Sequence, residues 1–172
     1  MFRSSSRQSE FEREVLPHLD AAYNLARFLM RNEHDAEDAV QEASLRAFRF
    51  FRDFRGGNSR AWFLQIVRNT SFTLLKKNRP ADMNVAFDEE LHGGQAPSLE
   101  PGLSLDRAQD RQTVRAAIEQ LPLEFREAII LRELEGASYK EIADIAGVPI
   151  GTVMSRLARA RHQLQLILSN PK

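Results

Sequence analysis

Hydrophobic side chains recur at helical spacing over two long stretches of the chain, from about residue 10 to 79 and from about 107 to 168. Within each stretch the apolar positions lie three or four residues apart, which collects them on one helix face, and strand-like alternation is absent. Gly and Pro gather between the two, within residues 79–104. A loop of that length is uncommon inside a compact domain. The pattern therefore predicts an all-α protein with two small helical domains, 10–79 and 107–168, joined by a flexible acidic linker over 80–106.

Three stretches of the first domain are predicted to be helical. "FEREVLPHLDAAYNLARFLM" forms one helix or a bent pair, because Pro17 lacks the backbone N–H that a helix interior needs. "NEHDAEDAVQEASLRAFRFFRDF" forms a second helix, for which Asp35 is a suitable N-cap. "SRAWFLQIVRNTSFTLLKK" forms a third after the turn "RGGN", with Ser59 or Asn58 as its cap.

The second of these helices is amphipathic and begins with acidic residues. The helical period directs Ala39 and Leu45 inward, with Ala43 beside them, and it directs four polar side chains largely outward: Asp38, Gln41, Glu42 and Arg46. An ordinary solvated helix with acids at its positive end has the same pattern. The residues alone therefore leave open whether this face binds a partner.

The third helix combines an apolar stripe with an outer side of mixed chemistry. The inward stripe is Phe63, Ile66, Val67, Thr70 and Leu74. The outer side holds aromatic, amide and cationic groups, namely Trp62, Gln65, Asn69, Phe72 and Lys76. Such groups suit unstacked bases, which stack on rings and form hydrogen bonds through their edges. Large aromatic side chains are as often buried against another helix, so both interpretations stay open.

The second domain contains the pattern of a helix-turn-helix. "DRQTVRAAIEQL" and "LEFREAIILRELE" are helices on either side of Pro122, and "SYKEIADIAGVPIGTVMSRL" follows. In that stretch small Ala143 allows two helices to cross closely and Gly147 supplies the turn. The side chains predicted to face inward are Ile142, Val148, Val153 and Leu157.

The last helix carries bases and no acids. From residue 151 to the end there are four Lys or Arg residues and no Asp or Glu. Opposite the apolar stripe of Val153, Leu157, Ala160, Leu164 and Leu168 lie Thr152, Ser155, Arg159 and His162, flanked by Met154, Arg156 and Arg161. A surface helix with cations near its C-terminal end is common. The turn, the pattern and the missing acids together favour a recognition helix that contacts DNA.

Overall charge and composition narrow the possibilities further. The chain of 172 residues has 24 bases and 24 acids, but blocks of one sign alternate, with residues 43–80 basic and residues 81–110 acidic. Separate surfaces for separate partners, one of them a polyanion, are the expected result. The absence of cysteine excludes disulfides and fits a reducing compartment. With no signal peptide pattern and no apolar run of ~20 residues, a cytoplasmic protein is expected.

Catalysis and metal binding find little support. The four histidines are scattered, and the chain has neither a Gly-rich phosphate loop nor a hydrolase motif. A metal site would have to use oxygen ligands around His34 and Asp35, where no zinc-binding spacing occurs. We therefore expect no enzyme activity, no metal, no cofactor and no small-molecule substrate.

Two long segments together resemble one family. "DAEDAVQEASLRAFRFFRDFRGGNSRAWFLQIVRNTSFTLLKK" is similar to region two of bacterial RNA polymerase sigma factors, and "AIEQLPLEFREAIILRELEGASYKEIADIAGVPIGTVMSRLARARHQL" is similar to their region four. Only these two regions are found, which resembles the compact extracytoplasmic-function (ECF) group. Two blocks in the right order are far more specific than a lone helix-turn-helix.

The resemblance implies roles for particular residues. The surface that grips the clamp helices of the polymerase's largest subunit would comprise Asp38, Gln41, Glu42 and Arg46. The part that captures a flipped base of the minus-ten element would comprise Phe54, Arg55, Asn58, Arg60 and Asn69, with Trp62 a looser match. The reader of the minus-thirty-five element would use Thr152, Ser155, Arg156 and Arg159. Some relatives place Arg and an aromatic residue where this chain has Met154 and Ala158, which changes the expected base preference.

The resemblance also implies partners. They are core RNA polymerase, promoter DNA and an anti-sigma factor, which could hold the chain at the inner membrane face; without partners the chain is expected to be monomeric. The alternative from another class is a free-standing helix-turn-helix transcription regulator whose first domain senses a ligand or dimerises. A metal-dependent helical enzyme is a third and more distant alternative.

Overall fold

The computed structural model describes residues 2–78 and 108–170, so the predicted linker over 80–106 lies outside the described residues. Every regular element in the two described ranges is helical, which confirms the predicted all-α class. The described residues form two compact units, the first built on residues 2–78 and the second mainly on residues 108–170.

The first unit contains four α-helices. They are α1 (Phe2–Val15), α2 (Leu19–Met30), α3 (Glu33–Phe50) and α4 (Ser59–Asn78). A 3-10 turn over Leu16–His18 separates α1 from α2, and a second over Phe51–Asp53 follows α3. Pro17 lies in the first turn, so the bent pair is the arrangement that the structure adopts.

The core of the first unit is built around a stripe of alanines on α3. Four of them are fully buried, Ala36, Ala39, Ala43 and Ala47, and they face larger side chains of α2 and α4 such as Leu25, Leu29, Phe63, Leu64 and Val67. The prediction that Leu45 faces inward is wrong, since this side chain is 59% exposed. Leu45 lies about 200° around the helix from Ala43, which places it nearly opposite the alanine stripe.

Caps on α3 and α4 define where these helices begin. The Asn32 side chain caps α3, because its Oδ1 accepts a hydrogen bond of 2.9 Å from the Asp35 backbone N–H. The predicted Asp35 cap is therefore wrong by one turn, and Asp35 lies in the first turn of the helix. For α4 one of the two predicted caps is correct, since Asn58 Oδ1 accepts from the Ala61 N–H at 3.0 Å.

Over its described residues, 108–170, the second unit contains four more α-helices and one π-helical turn. They are α5 (Ala108–Glu119), α6 (Leu123–Ile129), the turn Ile130–Leu134, α7 (Tyr139–Ala146) and α8 (Ile150–Ser169). Arg126 is buried and donates from Nη1 to the Glu119 carbonyl oxygen at 3.1 Å. This bond satisfies an acceptor at the end of α5 that the helix itself leaves open.

The helices α7 and α8 form the predicted helix-turn-helix. A reciprocal capping box starts α7, in which Ser138 Oγ accepts from the Glu141 N–H and Glu141 Oε1 accepts from the Ser138 N–H. The turn places Gly147 at φ 69°, a conformation that favours glycine. The α8 stripe of Val153, Leu157, Ala160 and Leu164 is buried as predicted, whereas Val148 and Leu168 are only half-buried.

Replacing the α3 cap tests this description of the first unit. Asn32→Ala removes the acceptor for the Asp35 N–H and should lower the free energy of unfolding by about 1 kcal/mol. Asn32→Asp keeps an acceptor and should stay within about 0.5 kcal/mol of the parent. Chemical denaturation followed by circular dichroism measures both. Equal losses in the two variants would show that the cap is not what the side chain contributes.

Candidate nucleic-acid interface

The outward face of α3 collects the four polar side chains that were assigned to it. Asp38 and Gln41 are exposed, and Glu42 and Arg46 are half-buried. Arg46 donates from Nε to Glu42 Oε1 at 3.0 Å, which joins these two side chains into one ion pair. Exposed Leu45 lies among them. An apolar centre within a polar rim is typical of protein–protein interfaces.

Five aromatic rings form one cluster at the end of α3. Phe51 is buried in its middle and contacts Phe11 of α1, Phe54 and Trp62, while Phe11 also contacts Phe48; the centroid distances run from 5.1 to 6.2 Å. Trp62 lies 5.1 Å from Phe54 and is half-buried. The structure therefore packs Trp62 against protein rings and leaves part of its surface accessible.

The loop that leads into α4 contains two glycines with positive φ angles. Gly56 and Gly57 adopt φ values of 85° and 91°, which L side chains rarely adopt. Arg55 is exposed and Arg60 is half-buried, so the loop carries cations that solvent reaches. Asn58 is also exposed, but its Oδ1 is used as the cap of α4.

His18 supports the start of α4 from the neighbouring turn. Its Nε2 lies 3.3 Å from Ser59 Oγ, within hydrogen-bonding distance. Burial lowers the pKa of His18, and the nearby Arg60 cation lowers it further, while Glu14 acts in the opposite direction. The imidazole is therefore neutral at pH 7, which adds no positive charge next to Arg60.

The outer face of α4 links a cation, an amide and a ring. Arg68 Cζ lies 3.7 Å from the centroid of the Phe72 ring. Arg68 Nη1 donates to Asn69 Oδ1 at 3.3 Å, and Asn69 itself is exposed. One face of Phe72 is thus covered by a guanidinium group, which removes that face as a stacking surface for a base.

The recognition helix α8 exposes fewer cations than the sequence indicated. Thr152, Ser155 and Arg159 are half-buried, and Met154 is 54% exposed. Arg159 is not without a partner in the structure. Arg159 is therefore already engaged within the protein, although α8 itself carries no acid.

Two further arginines of α8 pair with acids from other helical segments. Arg156 is only 8% exposed, and its Nη2 lies 3.5 Å from Glu124 Oε2 on α6. Arg161 Nη2 lies 3.1 Å from Glu133 Oε1. Burial lowers the pKa of Arg161, but hydrogen bonds to Glu133 and Tyr139 outweigh it and raise the pKa overall. Arg156 would have to leave Glu124 to reach DNA, and its predicted base contact stays a prediction.

Metal and membrane features are absent from the described part of the chain. Across residues 2–78 and 108–170, no three His, Asp or Glu side chains come close enough together to hold a metal ion. Over the same residues no helix combines the length and the apolar character needed to cross a membrane.

Comparison with known families covers both units. Residues 15–80 match the family described as Sigma-70 region 2, and residues 111–164 match Sigma-70, region 4. The chain is 34% identical to the RNA polymerase sigma-H factor of Pseudomonas aeruginosa, over 92% of this chain and 86% of that protein. It is 39% identical to the ECF RNA polymerase sigma-E factor of Escherichia coli K12, over 76% and 72% of the two chains. The chain belongs to the ECF group of sigma-70 family sigma factors.

This sigma factor is also similar to a longer relative and to two proteins of solved structure. It is 35% identical to the ECF sigma factor SigE of Mycolicibacterium smegmatis and spans 58% of that protein's length. It resembles the sigma factor RpoE of Bartonella quintana, whose structure was solved in complex with the anti-sigma factor NepR. The TM-score of this match is 0.70 and the identity is 32%, and the match covers 95% of this chain and 99% of that one. It also resembles CnrH, solved in complex with the cytosolic domain of CnrY, with a TM-score of 0.67, 25% identity, and coverage of 96% and 91%.

Sequence reasoning missed the acids that hold α8 of the sigma factor. Glu124 lies 32 residues before Arg156, and Glu133 lies 28 residues before Arg161. Neither pair leaves a signal at helical spacing, because the partners meet only when α6 and the π-helical turn pack against α8. The short sequence pattern Ser-x-x-Glu of the α7 capping box was readable and could have been used.

The two ion pairs of α8 predict a difference in stability. Arg156→Ala leaves Glu124 partly buried without its cation and should lower the free energy of unfolding by about 2 kcal/mol, less than for a fully buried pair because the Glu124 side chain is 27% exposed. Arg161→Ala, the matched control, removes a more exposed pair and should cost less than about 1 kcal/mol. Denaturant titration of the full chain compares them. A larger loss in Arg161→Ala would contradict the supporting role given to Arg156.

Proposed function

We propose that this sigma factor binds core RNA polymerase, directs it to promoters and takes part in opening the duplex, without being an enzyme itself. The observation that carries the proposal is the pairing of two units in one chain, each matching a different sigma region. The first unit offers a protein-binding face on α3 and an aromatic and cationic face at α4, and the second offers a helix-turn-helix. As a subunit of the transcription machinery, it would work in the cytoplasm.

The α3 face is the proposed polymerase-binding surface. It comprises Asp38, Gln41, Glu42, Arg46 and, from the structure, Leu45. The buried alanines on the opposite side of α3 support this assignment, because they form the core contact of the helix and leave Gln41 and Leu45 exposed to a partner. A polar rim around an apolar side chain gives both register and affinity to such a contact.

The loop before α4 and the outer face of that helix are the proposed minus-ten reader. The residues concerned are Phe54, Arg55, Asn58, Arg60, Trp62 and Asn69. Exposed Arg55 and half-buried Arg60 are suited to phosphates, and the partly exposed rings of Phe54 and Trp62 are suited to stacking. Exposed Asn69 supplies an amide for a base edge.

The helix α8 is the proposed minus-thirty-five reader. Thr152, Ser155 and Arg159 lie on the side opposite the buried stripe, where hydroxyl and guanidinium groups suit phosphates and base edges. Arg156 acts beneath them by holding α8 against α6 through Glu124. Exposed Met154 offers an apolar contact in place of a bidentate one.

An anti-sigma factor is the proposed regulator. Both similar structures are complexes, one with the anti-sigma factor NepR and one with the cytosolic domain of CnrY. The first unit exposes large apolar side chains at Leu45, Phe48 and Phe50, of the kind that a protein partner covers. Covering this region would also block the proposed polymerase surface on α3.

Reconstitution tests the proposed function as a whole. The purified chain, mixed with bacterial core polymerase, should produce transcripts that start at defined promoters, whereas core polymerase alone should not. A free-standing regulator would instead bind DNA without polymerase and give no new start sites. That second result would overturn the proposal.

Changing the α3 face should weaken polymerase binding. Gln41→Ala combined with Glu42→Lys removes an amide, reverses a charge and breaks the pair with Arg46. The matched control is Gln8→Ala with Glu12→Lys, the same change at an exposed, hydrogen-bonded pair on α1. Only the α3 variant should lose affinity for core polymerase, by about tenfold or more, while both keep the parent stability within about 0.5 kcal/mol. Equal competition by the α3 variant and its control would reject the assignment.

Removing the Asn69 amide should impair promoter opening. Asn69→Ala takes away a base contact that forms only with unpaired DNA, so open complexes on a duplex promoter should decrease more than on a promoter with a pre-melted bubble. Asn78→Ala, the same change at an exposed position of α4, serves as the control. Open complexes are counted by permanganate footprinting. Equal losses on both templates would mean that Asn69 does not act in melting.

A further inference from the structure

Three side chains on the outer face of α4 constrain one another. The Arg68 guanidinium lies over the Phe72 ring, 3.7 Å from its centroid, one helical turn away. The same guanidinium donates from Nη1 to Asn69 Oδ1 at 3.3 Å. Thr73 Oγ1 donates to the Asn69 backbone carbonyl oxygen at 2.9 Å, so the backbone of Asn69 is engaged as well.

In this group the Phe72 ring limits the orientation of Arg68, and Arg68 in turn orients the Asn69 amide. A guanidinium is planar, and stacking on a ring limits the directions in which its N–H groups point. Phe72 therefore limits the orientations that the Arg68 guanidinium can adopt. The Arg68 N–H group bonds to Oδ1 of Asn69 and so fixes which end of the amide is occupied. With Oδ1 accepting from Arg68, the amide offers its two Nδ2 donors to a ligand.

The result is a row of neighbouring donors on the surface that is proposed to read a base. Asparagine normally reads adenine by accepting from N6 and donating to N7, which requires an available Oδ1. Here a base donor that approaches Oδ1 has to share it with the Arg68 cation. A base edge with two neighbouring acceptors meets no such competition and can accept from both Asn69 and Arg68, one bond being charge-assisted.

We propose that Arg68 and Phe72 determine base specificity in the minus-ten element by presenting Asn69 as a donor. The edges that fit are those with adjacent acceptors, O2 and N3 of cytosine or O6 and N7 of guanine, and adenine is disfavoured. Arg68 orients the Asn69 amide and can itself donate to the base. Phe72 is a positioning residue, which acts through Arg68 and does not stack on a base. This inference rests on the proposed role of Asn69 and deepens it.

The test uses holoenzyme reconstituted from the full chain and core polymerase, with a promoter library whose minus-ten element is randomised. Sequencing the DNA retained in open complexes gives the base preference at each position. Asn69→Ala should flatten one position, which identifies the base that Asn69 contacts. At that position the parent should favour cytosine or guanine over adenine, and Arg68→Lys should reduce this preference at least about fivefold, because lysine keeps the charge but loses the planar donor pair.

Substitutions at Phe72 separate positioning from other roles. Phe72→Leu removes the ring face and should shift the preference in the same direction as Arg68→Lys, while Phe72→Tyr keeps the face and should rescue it. Circular dichroism shows that each variant is folded. If Asn69→Ala flattens a position and neither Arg68→Lys nor Phe72→Leu changes the preference there, this inference is overturned and the role of Asn69 stands. If Asn69→Ala flattens no position, both fail. A uniform loss over all bases in Arg68→Lys would reduce Arg68 to a phosphate contact and also overturn the inference.

Discussion

The buried face of α3 consists of alanine methyl groups, and the rest of the first unit depends on that choice. Ala36, Ala39, Ala43 and Ala47 project so little that α2 and α4 can pack closely against α3 and fill the core with their own larger side chains. The side of α3 opposite the alanines carries longer side chains, where acidic and amide groups surround exposed Leu45. The same packing holds α4 so that Asn69 faces outward while Phe63 and Val67 are buried. One constraint thus produces both faces that the proposed function uses.

In the second unit, ion pairs between helical segments determine the position of the recognition helix. Its recognition helix has no acid of its own, yet Glu124 and Glu133 reach Arg156 and Arg161 from neighbouring segments and hold α8 in place. Two cations of α8 therefore support the position of the helix. Arg159 belongs to the outer side, although it is half-buried and already engaged. Positive charge on this helix thus contributes to its position within the unit as well as to its proposed contact with DNA.

Two aromatic side chains of α4, Trp62 and Phe72, are likewise in contact with other side chains of the protein. Trp62, which the sequence left between a buried and a base-stacking role, packs on Phe51 and Phe54 and keeps part of its surface accessible. Phe72 is covered by Arg68 on one face. Contacts within the protein therefore order the outer side of α4, which would lower the entropy cost of the proposed base binding.

Helical periodicity, the glycine turn at Gly147 and the two sigma-like segments were sufficient to predict the all-α class, the helix-turn-helix and the family from the sequence. These features act within a few residues, where the backbone geometry alone relates position to direction. The same local rules selected Asp35 where Asn32 is the cap, and they placed Leu45 on the inward face, because several residues satisfy them at once within one or two turns. Which cations of α8 are paired was decided only by tertiary structure. Arg156 meets Glu124 across 32 residues of chain, and contacts over such a distance depend on how helices pack, which no pattern along a single helix records.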